Sequence, residues 1–154
     1  MPRLTLCGEA NMKKYYAVLD TNVLVSAFLK DNSIPRKIAS CVWDGKIIPL
    51  LNDKILQEYQ EVMHRTKFHF DKDAVDSFLM EISQRGVVID GWEADILLPD
   101  PKDVVFYAVV MEAREEQDAY LVTGNIKHFP KAVFVVTPRE MLTLVETGKL
   151  PSRD

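Results

Sequence analysis

The sequence has little cysteine, no long apolar stretch and no excess of positive charge. Its two cysteines, Cys7 and Cys41, form neither a disulfide framework nor a Cys-x-x-Cys pair, as is typical of proteins from a reducing compartment. No apolar run approaches the roughly 20 residues that cross a bilayer, so we expect a cytoplasmic protein without a membrane segment. The formal net charge of −4 argues against a protein that coats nucleic acid through bulk positive charge.

The length and composition predict a single compact domain. The chain has 154 residues, of which 47% are apolar, and this is enough to form one full hydrophobic core. Residues 1–12 lack the apolar block of a signal peptide, and a second methionine, Met12, is a candidate start of the native domain. We therefore expect an N-terminal extension at 1–12, a single domain at 13–147 and a C-terminal tail at 148–154.

Short apolar runs alternate with amphipathic segments along the chain. We predict strands at 15–20, 47–51, 87–89, 120–123 and 132–136, and helices at 22–30, 33–45, 53–65, 71–85, from 103 onward and at 137–146. A proline-containing connector is predicted at 91–102. Strands that are continuous apolar runs and alternate with helices indicate a parallel sheet covered on both faces. The sequence therefore predicts an α/β fold, an α/β/α sandwich with a mostly parallel sheet of four to five strands.

The first predicted strand ends in a carboxylate, Asp20, which is followed by the polar residues Thr21 and Asn22. Burying an ionised carboxylate is unfavourable unless it is paired, hydrogen-bonded or bound to a metal. The carboxyl ends of parallel strands are also where ligands bind in open α/β sheets. The position of Asp20 alone is compatible with a well-satisfied turn residue and with the centre of a site.

Two further carboxylates lie at the edges of predicted helices. Glu58 flanks the apolar stripe of its helix, and Asp103 opens a helix whose next eight residues are all apolar. Oxygen ligands without a His or Cys cluster suit Mg²⁺ or Mn²⁺, which support hydrolysis of a phosphodiester. Taken singly, Asp103 is also a natural N-cap, and Glu58 an ordinary solvated helix residue. The three histidines, His64, His69 and His128, have no ligand spacing.

Four short sequence blocks follow one another along the chain, and three of them contain Asp20, Glu58 and Asp103. Asp-Thr-Asn-Val-Leu-Val-Ser-Ala at 20–27 resembles the opening motif of PIN domains, and Leu-Gln-Glu-Tyr-Gln-Glu-Val at 56–62 resembles the helix with their second acid. Asp-Pro-Lys-Asp-Val-Val-Phe-Tyr at 100–107 is similar to the block with their third acid, and the segment 119–130 is similar to their fourth-strand block. The resemblance spans roughly residues 13–145. It is closest to the VapC-like toxin components of bacterial toxin–antitoxin systems.

This resemblance implies a Mg²⁺- or Mn²⁺-dependent endoribonuclease. Its catalytic and metal-binding residues would be Asp20, Glu58 and Asp103. The residues that would support them are Thr21, Asn22, Thr123 and Asn125. The family often has a further acid after strand four, and here that position is Asn125, which contributes no negative charge. The acidic set is therefore one charge short, and binding of one or of two metal ions remains open.

The resemblance also implies binding partners. A cognate antitoxin would cover the acidic site with one of its segments, and the chain would form a homodimer. The RNA would be single-stranded or looped, because such a phosphodiester can reach a recessed site. The candidate phosphate contacts are Arg36, Lys37, Arg65, Lys67, Lys127 and Lys131.

The sequence has two alternative functional interpretations besides the nuclease. Phosphoaspartyl chemistry at Asp20 would need a second acid at position 22, as in haloacid-dehalogenase-type phosphatases, or an acidic pair ending strand one, as in receiver domains. The chain has Asn22 and no such pair. The second interpretation is a PIN-like module that binds RNA or protein with weak or no catalysis, because the fourth acidic position is Asn125.

Overall fold

The computed structural model describes residues 13–91 and 97–153, and five strands in this part of the chain form one sheet. They are β1 (Tyr15–Leu19), β2 (Ile47–Leu51), β3 (Val87–Val88), β4 (Ala119–Val122) and β5 (Val135–Val136). All neighbouring pairs are parallel, and the strand order is β3-β2-β1-β4-β5. The predicted extension at 1–12 and part of the predicted connector, 92–96, lie outside the described residues, as does residue 154.

Six α-helices connect and cover these strands in the described part of the chain. They are α1 (Thr21–Leu29), α2 (Ile34–Trp43), α3 (Asp53–Met63), α4 (Lys72–Arg85), α5 (Asp103–Ala113) and α6 (Pro138–Thr147), with single 3₁₀ turns at Thr66–Phe68 and Ile126–His128. The predicted α/β class with a parallel sheet is confirmed. Over residues 13–91 and 97–153, no helix combines the length and apolar character that crossing a membrane requires.

Local capping explains where three of the helices begin. The Ser33 hydroxyl accepts from the Arg36 backbone N–H at 3.2 Å, and the Asp71 carboxylate accepts from Ala74 at 3.0 Å. Helix α6 opens with a complete capping box between Thr137 and Glu140. All three caps stand where the sequence predicts them.

The core strand β1 is buried from both sides. Its consecutive residues Ala17, Val18 and Leu19 are each 0% exposed, and successive side chains of a strand point to opposite faces. Helices therefore cover both faces of the sheet at its centre. The edge strand β3 is different, because Val88 is 66% exposed.

Most observed element boundaries differ from the predicted ones by one or two residues, and two of the differences change how residues are assigned. Helix α1 begins at Thr21 rather than at residue 22, so Thr21 is a buried helical residue and not part of a turn. Strand β5 begins at Val135 rather than at Ala132, because the Val135 backbone N–H closes a turn onto the Ala132 carbonyl at 3.2 Å. The apolar run there continues through the turn, and apolar periodicity alone does not separate the two.

Candidate active site

The site lies where the strand order reverses. From β1 the chain adds β2 and β3 on one side of the sheet and then returns to add β4 and β5 on the other side. The register pairs Leu19 with Val122, so the next residues, Asp20 and Thr123, lie side by side at the carboxyl ends of β1 and β4. In open parallel sheets, the crevice at such a switch point is where ligands bind.

Asp20 is held by its neighbour on β4. Its carboxylate Oδ2 accepts a hydrogen bond from the Thr123 hydroxyl at 2.7 Å, and its backbone N–H donates to the Val122 carbonyl at 2.9 Å. Asp20 is only 5% exposed and Thr123 is 0% exposed. Burial raises the pKa of Asp20, while the Thr123 hydroxyl and then the Thr21 backbone N–H act in the opposite direction.

Asp20 is the N-cap residue of α1, but its carboxylate does not cap the helix. The Asp20 backbone carbonyl accepts from the Val23 N–H at 2.9 Å, whereas the side chain forms no capping hydrogen bond. The sequence position of Asp20 is compatible with a turn residue and with the centre of a site. The missing capping hydrogen bond argues against the first of these two explanations. The carboxylate instead lies between the two strand ends, bonded to Thr123.

Asp103, the first residue of α5, lies within the electrostatic reach of Asp20. Its side chain is 13% exposed. Burial, then the charge of Asp20, then that of Asp100 together raise the pKa of Asp103 to about 6, and His128 opposes them. The structure thus brings two of the three predicted acids together at the switch point.

Two residues near these acids are not among the residues predicted for the site. Asp100 acts on the pKa of both Asp20 and Asp103, and its Oδ1 accepts from the Lys102 backbone N–H at 3.0 Å in the turn that leads into α5. The ring Nδ1 of His128 lies 3.6 Å from Asp103 Oδ2. The absence of ligand spacing around His128 is therefore misleading, because its partner is far away along the chain. The sequence feature that could have indicated these residues is their position within the family blocks, Asp100 in the block 100–107 and His128 in the segment 119–130.

The remaining predicted residues lie around this pair in different ways. The Thr21 hydroxyl is buried and has no hydrogen-bond partner among the described residues, whereas Asn22 is exposed. Asn125 is exposed, and its backbone N–H donates to the Thr123 hydroxyl oxygen at 3.0 Å. Glu58 is half-buried on α3, directly before Tyr59, whose hydroxyl donates to the Leu19 carbonyl at 2.5 Å. Helix α3 is thereby anchored at the end of β1, and the role of Glu58 stays a prediction.

A comparison with protein families agrees with this geometry. A family profile described as PIN domain matches residues 16–127, from β1 to the 3₁₀ turn with His128. The chain belongs to the PIN domain family. PIN domains are generally nucleases, and PIN nucleases typically use a divalent metal ion. No curated protein and no solved structure matches this PIN domain in the corresponding comparisons.

The acids of this PIN domain fit a hard divalent cation in part. Asp20 and Asp103 are both carboxylates, burial disfavours the charged form of each, and the charge of Asp20 further raises the pKa of Asp103. A cation between them would remove that repulsion, and Mg²⁺ usually takes only one or two carboxylates besides water and substrate oxygens. Within residues 13–91 and 97–153, no three His, Cys, Asp or Glu side chains converge into a complete metal cluster. The pair would supply the one or two carboxylates that Mg²⁺ usually takes, and it does not form a closed cage.

The raised pKa of Asp103 predicts how the stability of the metal-free protein depends on pH. The folded protein keeps a proton on Asp103 up to about pH 6, whereas the unfolded chain releases it near the usual 3.8. The folded state therefore binds more protons in this window, and the free energy of unfolding falls as the pH rises through it. We expect Asp103 to contribute a decrease on the order of 2 kcal/mol, and Asp103→Asn should remove this contribution. Urea denaturation in EDTA at several pH values measures it, and parallel curves for wild type and variant would contradict it.

Proposed function

We propose that this PIN domain is a Mg²⁺- or Mn²⁺-dependent endoribonuclease. The observation that carries the proposal is the burial of Asp20 at the switch point, with the carboxylate of Asp103 close enough for its pKa to respond. A buried and a partly buried carboxylate that repel each other are unfavourable alone and favourable around a cation. A local loss of stability of this kind is characteristic of a functional site.

Each residue of the site has a distinct role in this proposal. Asp20 and Asp103 would hold the ion, with Glu58 as a third acid from α3. Thr123 orients the Asp20 carboxylate through the 2.7 Å hydrogen bond, because the hydroxyl is itself fully buried between two partners. The bound ion would supply an activated water and neutralise the charge that develops on the phosphodiester. RNA is the proposed substrate, since a flexible single strand can deliver a phosphate to a recessed acidic site.

The proposal extends to the biological role of a toxin component in a toxin–antitoxin system. Its support is the resemblance of the four sequence blocks to PIN domains, and in particular to the VapC-like group. An antitoxin segment with basic side chains is the expected inhibitor, because Asp20, Asp100 and Asp103 make the site acidic. A homodimer is also proposed, and its support is the apolar residues Val104, Val105 and Tyr107 of α5, which are only partly buried.

Cleavage of a defined RNA tests the enzymatic proposal directly. The purified protein is incubated with a 5′-labelled single-stranded RNA in Mn²⁺, in EDTA, and in EDTA followed by excess Mn²⁺. We expect cleavage in the first and third reactions and none in the second, because the acids alone do not activate water. Cleavage that persists in EDTA would contradict the proposal.

A binding module without catalysis is the second candidate, and Asn125 favours it. At this position the side chain is exposed and carries no charge, so Asp20 and Asp103 have one acid fewer beside them than the family pattern provides. Calorimetric titration with Mn²⁺ separates the two candidates. Negligible binding at millimolar Mn²⁺ would favour the binding module.

Introducing an acid at position 125, where the family pattern has one, should strengthen metal binding. We expect Asn125→Asp to tighten Mn²⁺ about tenfold, because it adds a carboxylate two residues from the hydroxyl that holds Asp20. Calorimetry of both proteins at pH 7.5 measures the change. The matched control is Asn32→Asp, the same chemical change at an exposed position after the far end of α1. Equal affinities for the two variants would contradict the prediction.

A further inference from the structure

A pocket of about 450 Å³ lies between the segment 126–135 and the C-terminal tail. Its interior is apolar and includes Phe129, Ala132 and Val135, while Lys127, Lys131 and Arg153 contribute the cations. Pockets of this size that combine an apolar interior with a few polar groups are typical of binding sites for small organic groups. Neither the proposed metal site nor the family match assigns a ligand to it.

Arg153, which lies in the C-terminal tail, forms one wall of the pocket. Its guanidinium donates to both carboxylate oxygens of Glu140 at 2.8 Å and to the Val135 carbonyl at 2.5 Å. The hydrogen bonds to Glu140 lower the pKa of that carboxyl. Arg153 therefore shapes the pocket, and its charge is already matched within the protein.

The two lysines that line the pocket differ from Arg153, because their charges are not matched by a partner among the described residues. Lys127 and Lys131 are exposed, and neither forms an ion pair or side-chain hydrogen bond within residues 13–91 and 97–153. Two unmatched positive charges thus border an apolar pocket on a protein whose net charge is −4. A local positive rim of this kind complements an anion that also carries an apolar part.

The pocket adjoins the acidic pair through one residue. His128, which lies within 3.6 Å of Asp103, stands in the chain between Lys127 and Phe129, both of which line the pocket. Acids repel an approaching phosphodiester, so cations beside them are needed to hold a polyanion across the site. Single-stranded nucleic acids are bound in this way, with basic side chains at the phosphates and apolar or aromatic side chains at the bases.

We propose that this pocket holds the nucleotide next to the scissile phosphodiester of a bound single-stranded RNA. The base lies on the apolar interior, and the adjoining backbone phosphates lie at Lys127 and Lys131. This inference rests on the proposed nuclease function, because it takes RNA as the occupant. It can nevertheless be tested without cleavage, since binding to the pocket needs neither metal ion nor catalysis.

The test measures the affinity of a fluorescein-labelled 10-nucleotide single-stranded RNA of mixed sequence by anisotropy in EDTA. We expect Lys127→Glu with Lys131→Glu to weaken binding at least tenfold near physiological salt. The slope of log affinity against log salt should fall by about 1.4, or roughly 0.7 for each phosphate that is no longer neutralised. Ala132→Trp, which fills the pocket and keeps the charges, should weaken binding several-fold without changing the slope. Circular dichroism checks that each variant is folded, and Ala132→Leu replaces Ala132→Trp if the larger side chain prevents folding.

The matched control is Lys14→Glu with Lys46→Glu, which makes the same change in net charge. Both lysines are exposed next to the amino ends of β1 and β2, at the opposite edge of the sheet. Equal weakening by the two double variants would show a bulk-charge effect and overturn the proposal. Normal binding by the Ala132 variants would overturn it as well, and so would equal competition by an acidic peptide of the same charge. If wild type binds the RNA as expected but does not cleave it in Mn²⁺, the proposed nuclease function fails while the subsite stands.

Discussion

Asp20→Asn should reduce Mn²⁺-dependent RNA cleavage about 10³-fold and, in the same protein, raise the midpoint of thermal unfolding measured in EDTA. The loss of activity follows because the amide removes the charge that would bind the ion, a contribution of several kcal/mol. The gain in stability follows because the introduced amide retains an oxygen that accepts from the Thr123 hydroxyl while no charge remains buried. Opposite changes in activity and stability distinguish a functional acid from a structural one.

Both effects of Asp20→Asn are measured on one preparation. Initial rates come from cleavage of the labelled RNA at saturating Mn²⁺, and the midpoint comes from circular dichroism without metal. Asp118→Asn is the control, because Asp118 is exposed and precedes β4, at the opposite end of that strand from Thr123. The proposal fails if Asp20→Asn cleaves as fast as wild type. A lower midpoint would instead identify Asp20 as a structural residue.

The layered fold is predictable because its signal is local. Ala17, Val18 and Leu19 are apolar in succession, and only a strand covered on both faces buries such a run. The helix starts are predictable for a similar reason, since a cap at Ser33, Asp71 or Thr137 involves residues within one turn. In both cases the sequence contains all of the interacting groups within a short window.

The position of the site in the fold requires information that no short window contains. Asp20 lies next to Thr123 because β4, and not β5, pairs with β1, and the two residues are 103 positions apart. The sequence predicts a parallel sheet but not the order of its strands, so it does not reveal the switch point between β1 and β4. The sequence therefore predicts Thr123 only as a supporting residue, although it holds the central carboxylate.

Two further contacts, between His128 and Asp103 and between Arg153 and Glu140, are not predictable from the sequence because they also depend on the tertiary structure. His128 and Asp103 are brought together by the packing of α5 against β1 and β4, which places the start of α5 beside the turn that follows β4. The clamp between Arg153 and Glu140 likewise joins the tail to the first turn of α6. Neither pair has a spacing that marks a local interaction, and only the tertiary structure makes either of them a contact.

The hydrogen bond between Thr123 and Asp20 is the second determinant with a large expected effect. Thr123→Val keeps the shape of the side chain and removes the hydroxyl, which leaves the buried Asp20 carboxylate and the Asn125 backbone N–H without this partner. Hydrogen bonds to charged groups contribute about 1.5–3 kcal/mol, so we expect RNA cleavage to fall roughly 10- to 100-fold. Thr123→Ser keeps the hydroxyl and should retain most of the activity.

The double variant shows whether Thr123 acts through the Asp20 carboxylate. In wild type, Thr123→Val removes a bond to an ionised group, so the free energy of unfolding in EDTA should fall by about 1.5–3 kcal/mol at pH 8. It should fall by less at low pH, where Asp20 is protonated, because the bond lowers the pKa of Asp20. In the Asp20→Asn background the same substitution should cost about 1 kcal/mol at every pH, because the bond is then between neutral groups. Equal costs in the two backgrounds would mean that Thr123 supports the end of β4 and not the acid beside it.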